Sequence, residues 1–143
     1  YPNTYYGFAL IDQEKGKYLD AFLNAEKALK LETDSRVRLQ MIKTMFEAAQ
    51  NYSREFDGDE LIKQFQDKLE KQGGVPIRTI KDASITSDAT IQFSWNHGLT
   101  YHKLLYKSEQ YFMPHLMMHE LTHLLFVLEA REQGYNEVFY STH

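Results

Sequence analysis

The stretch "MMHELTHLL", residues 117–125, sets two histidines four positions apart with a glutamate directly after the first. On an α-helix that spacing puts the side chains about 40° apart in azimuth and about 6 Å apart along the axis, so the imidazoles of His119 and His123 can converge on one ion. Glu120 stands about 100° round from His119, where its carboxylate reaches a water on that ion without being a ligand. Zinc lowers the pKa of such a water from near 16 to about 7, and a carboxylate beside it can take the proton and hand it to a leaving amine. The chemistry this pattern serves is amide hydrolysis, with His119 and His123 as metal ligands and Glu120 as general base.

The flanking residues bear on whether the histidines are core filler. With His119 at the origin, Met117, Leu121, Leu124, Leu125 and Leu128 fall within about 60° of the opposite pole. The histidines therefore turn away from the main apolar face. Leu116 and Phe126 share their side and make it partly apolar, which suits a covered cleft. The plain alternative is a polar helix face that binds nothing. The helix should begin near Pro114 and run to Gln133, with Gly134 ending it.

Upstream, the first half reads as helix. In "KYLDAFLNAEKALKLE", residues Leu19, Phe22, Leu23, Ala25 and Leu29 make one apolar stripe, interrupted by Glu26. "TDS" at 33–35 supplies capping residues for "RVRLQMIKTMFEAAQNYSREF", where Val37, Met41, Met45, Phe46 and Ala49 repeat the pattern. These two are expected to pack as an antiparallel pair. A third helix follows in "DGDELIKQFQDKLEKQGG", with a capping-box-like start at Asp57 and Glu60 and a glycine stop at Gly73 and Gly74. The period then changes: "VPIRTI", "ATIQFSW" and "LTYHKLLY" are rich in β-branched and aromatic residues and read as strands, the last two joined as a β-hairpin through "NHG" at 96–98. His97 is expected to be an exposed turn residue. The predicted class is α+β: N-terminal helices packed on a small, mainly antiparallel sheet, followed by the HExxH helix, in one domain spanning residues 1–143.

Composition narrows the partners. With 143 residues the chain can bury a core without staples. A formal charge of −4 and no concentration of Lys and Arg argue against nucleic acid. There is no cysteine, so a metal must be held by His, Asp or Glu. No apolar run approaches the roughly 20 residues needed to span a bilayer, and "YPNTYYGFAL" lacks a signal-peptide pattern. A soluble chain with no membrane partner is expected; the compartment and oligomeric state stay open, with the cytoplasm slightly favoured. The missing initiator Met and the ending "FYSTH" lead us to expect a processed form or a fragment.

His119, Glu120, Leu121, Thr122 and His123 resemble the HExxH helix of the zincin superfamily of zinc metallopeptidases. The likeness covers five residues, the apolar helix around them and the order of helices, strands and HExxH helix. It implies Zn2+ as cofactor, a peptide or protein substrate, and an edge strand that binds extended peptide, here "LTYHKLLY", residues 99–106. Tyr101 and His102 alternate on that strand, so one of them would face the zinc and bound substrate and stabilise an oxyanion, the plainer role of a strand tyrosine being packing.

Catalytic zinc takes a third protein ligand. The metzincin pattern would place it at Glu129, but "LLFVLEAREQ" has no helix breaker, and an unbroken helix carries Glu129 out of reach of the same ion, leaving an ion pair as its plainer role. The gluzincin pattern nominates Glu137 and the SprT-like pattern His143, each with a bland alternative as a surface or terminal residue; a ligand beyond the chain end is a further option. His115, one turn before His119, shares its face, yet three histidines on successive turns of a straight helix cannot all reach one ion. The runner-up function is a noncatalytic helical protein-interaction domain with an inert or structural HExxH.

Overall fold

The structure is a computed structural model that describes residues 1–51 and 59–135. The elements run α1 (Pro2–Glu14), α2 (Tyr18–Leu31), α3 (Ser35–Gln50), α4 (Asp59–Gly73), β1 (Ile77–Lys81), β2 (Ala89–Gln92), α5 (Ser94–His97), β3 (His102–Tyr106) and α6 (Pro114–Glu132). The class is α+β, as expected.

The expected helices form for the anticipated reasons. Asp34 caps α3 by accepting from the backbone N–H groups of Arg36 and Val37. Gly74, at φ 70°, turns the chain out of α4, and Gly134, at φ 85°, does the same after α6. The interrupting Glu26 lies at the rim, where it pairs with Lys68 of α4 at 3.2 Å. The Asp57 half of the capping box lies outside the described residues. Helix α1 carries no clear apolar stripe: it buries Ala9 but exposes Phe8, Leu10 and Ile11. Tertiary packing against α2 and α3 holds it instead.

The sheet is mixed, in the order β1-β3-β2. Strand β3 runs parallel to β1, with Ile77 opposite His102, and antiparallel to β2, with Ala89 opposite Tyr106. This corrects two expectations. The strand within "LTYHKLLY", β3, is the central one, so its backbone groups are committed on both sides and cannot receive a peptide; among the described residues β1 and β2 are the outer strands, and Ile77 of β1 already bonds Gln66 and Glu70 through its backbone. The antiparallel pairing of β2 and β3 is present, but no tight turn at "NHG" joins them. After Gln92 the chain coils into α5 and leaves it through Gly98 in the left-handed region, at φ 65° and ψ 28°. The Ile91–Phe93–Trp95 alternation yields to tertiary contacts. The Ser94 N–H donates to His102 Nδ1 at 3.0 Å, Trp95 stacks on Phe93, and the Arg131 guanidinium covers the Trp95 ring at 4.3 Å.

Helix α6 joins the layers: it packs on α3, α4, β2 and β3. Met117, Met118, Leu121 and Leu124 are fully buried there, with Met41, Ile42 and Met45 of α3 and Leu104 of β3 in the same core. Burying a side chain of this size contributes about 1.5–3 kcal/mol, so the helix is anchored far more firmly than its own propensity requires. No helix among the described residues is long and apolar enough to cross a membrane.

Candidate metal centre

From Met117 to Ala130 only His119 and Phe126 retain partial exposure. Leucines and methionines fill one side of α6, and on the side bearing the histidines Phe46 of α3 packs against them, with His119 partly exposed. On that side the ligand-type atoms of His119, Glu120 and His123 all lie within 4.8 Å of one another. Two ligands on a tetrahedral zinc stand roughly 3.4 Å apart, a spacing within the span of this group. Among the described residues it is the single such convergence of three His, Asp or Glu side chains.

The hydrogen bonding assigns roles to individual atoms. His119 Nδ1 lies 2.9 Å from Glu120 Oε2. A carboxylate accepts, so in the neutral imidazole that binds a metal Nδ1 carries the proton and Nε2 keeps its lone pair. Both His119 Nε2 and Glu120 Oε1 are buried without a hydrogen-bond partner among the described residues. An unsatisfied buried polar atom costs about 1–3 kcal/mol, which a bound cation would offset at Nε2. Of the four side-chain atoms in that condition, these two alone belong to a convergent set of metal-ligand residues. The group could therefore hold a metal ion, with a carboxylate orienting one imidazole as metal-binding histidines commonly require.

Helix α3 supplies the facing wall. The Phe46 ring centroid is 4.0 Å from that of His119 and 4.4 Å from that of His123, and the two imidazoles are 5.4 Å apart at 82° to each other. In the sequence Phe46 reads only as one more member of an apolar stripe; no local signal marks it as a neighbour of the histidines. His115, half-buried one turn earlier, is held below its usual pKa by burial first and by the nearby His119 second.

The other sequence candidates separate from this set. His102 is buried at 1% exposure, its Nδ1 accepting from Ser94 and its ring edge-on to Trp95; burial holds its pKa below the usual value. Tyr101 lies against the Arg78 guanidinium at 4.3 Å. Glu129 forms an ion pair through both oxygens with Arg38, whose Nη1 also donates to Leu29 O and Glu32 O at 2.6 and 2.7 Å. The ion pair expected of Glu129 is thus made with Arg38. His97 ends α5 rather than sitting in a two-strand turn. Glu137 and His143 lie outside the described residues.

No family model matches the chain, and neither does any curated protein or solved structure.

Proposed function

We propose that the chain is a zincin-like, zinc-dependent metallopeptidase whose centre is His119, Glu120 and His123. The observation that carries this reading is that two buried atoms without a hydrogen-bond partner among the described residues, His119 Nε2 and Glu120 Oε1, belong to the one group of convergent His and Glu side chains found among those residues. Zinc, when bound, supplies a Lewis acid that lowers the pKa of water to about 7.

The protein's own residues supply the rest. His119 presents Nε2 because its Nδ1–H is held by Glu120, and His123 comes from the next turn of the same rigid helix. Glu120 uses one oxygen to orient His119 and keeps the other free to take a proton from water and return it to the leaving amine. Burial of Glu120 at 5% and His123 at 7% excludes bulk solvent and strengthens each electrostatic contact.

The test is Glu120→Gln. The amide oxygen can still accept from His119 Nδ1, so the variant should retain zinc while losing peptide cleavage by about a hundredfold or more. Cleavage surviving at the wild-type rate would remove Glu120 as the base.

A further inference from the structure

We propose that Phe46 is a positioning residue of this metal centre, holding the imidazoles of His119 and His123 in the orientation that lets both face one cation. The inference rests on the metal-binding reading above and adds to it a residue outside the HExxH motif.

Phe46 stands where a core phenylalanine does not. It is half-buried and lies outside the main core cluster, whereas its α3 neighbours Met45 and Ile42 are fully buried in it. Its ring touches both histidines in different ways. It lies tilted at 37° across His119 at 4.0 Å and nearly perpendicular, at 75°, to His123 at 4.4 Å. An aromatic side chain has few rotatable bonds, so a ring wedged against two imidazoles restricts the torsions of both. Only a fraction of the rotamer combinations open to two histidines four residues apart on one helix brings both nitrogens together, and the ring adds its contacts to the Glu120 hydrogen bond that already orients His119.

The position of Phe46 is itself fixed by distant contacts. Arg38 of α3 pairs with Glu129 of α6, and one turn beyond, Gln133 Nε2 donates to Ser35 O at 3.0 Å. These contacts pin the two helices antiparallel. From Arg38 to Phe46 is about 12 Å along α3, and from Glu129 back to the midpoint between His119 and His123 is about 12 Å along α6. The ion pair thus sets the register that brings Phe46 level with the pair of histidines. Glu129 serves the metal centre from a distance, through α3, without being a ligand.

The experiment measures zinc affinity by competition with a chromophoric chelator, and the visible absorption of the Co2+-loaded protein, for the wild type, Phe46→Ala, Phe46→Tyr and Phe65→Leu. Phe46→Ala should weaken binding about 10- to 100-fold and broaden the Co2+ spectrum, as loss of an orienting neighbour does at other metal sites. Phe46→Tyr, which keeps the ring, should bind within about threefold of wild type. Phe65→Leu, a core change on α4, should lower the thermal midpoint and leave affinity alone. Wild-type affinity in Phe46→Ala overturns the positioning role while the metal centre stands. Weakening of Phe65→Leu in step with its lost stability also overturns it. A wild type that binds neither zinc nor Co2+ overturns the metal centre, and the role of Phe46 with it.

Discussion

Arg38 and Glu129 join α3 to α6 through a two-pronged ion pair in which the glutamate side chain is buried and the arginine side chain is partly exposed, at 4% and 26% side-chain exposure. The asymmetry decides which truncation costs more. Arg38→Ala strands a buried carboxylate and should destabilise the fold by about 3–5 kcal/mol, whereas Glu129→Ala leaves an arginine that can turn to water and should cost less. Replacing both by Met and Leu should recover most of the loss. Urea unfolding of the four proteins checks the order, and an Arg38→Ala cost below about 1 kcal/mol would show that the pair is not structural.

His102 should make stability depend on pH. Its folded-state pKa lies below the ordinary 6.5 because the ring is buried, so below that pH the unfolded chain takes up the proton more readily. The contribution is complete above the unfolded value and is lost as pH falls through the folded one. His102→Asn keeps an acceptor near the Ser94 N–H but does not titrate. Between about pH 8 and about pH 5 it should lose less stability than wild type; equal losses would refute a neutral, buried His102.

Gly98 ends α5 at φ 65°, with open space around the position where a Cβ would stand. Gly98→Ala should therefore cost about 1–2 kcal/mol through the backbone alone, with zinc retention unchanged. A cost near zero in thermal unfolding would mean that α5 can end in another way.

His115 lies on the same helix face as His119 but outside the convergent set. His119→Ala and His123→Ala should each abolish zinc retention, while His115→Ala should keep it within about threefold. Loss of zinc in His115→Ala as severe as in the other two would redraw the ligand set.

The parts of this molecule legible in its sequence are those where one period dominates. The stripes of α2 and α3 and the glycines at 74 and 134 are local signals, and the elements lie where those signals put them. The opposition of leucines and histidines on α6 was equally local. Strand order was not: nothing in "LTYHKLLY" shows that it lies between β1 and β2, because pairing partners are set by the packing of distant segments. Trp95 belongs to an alternating pattern yet enters a helical turn, drawn there by Phe93, His102 and Arg131. Phe46 was visible as apolar and invisible as a neighbour of His119, since that contact depends on the α3–α6 register fixed at Arg38 and Glu129.

The central claim is that this helix binds a metal, and zinc content tests it most directly. Purified protein exposed to zinc and then dialysed should retain about one equivalent, and the His119→Ala and His123→Ala variants should retain almost none. Wild-type protein holding less than about a tenth of an equivalent after the same treatment would contradict the account, because the proposed nucleophile exists only with the metal in place.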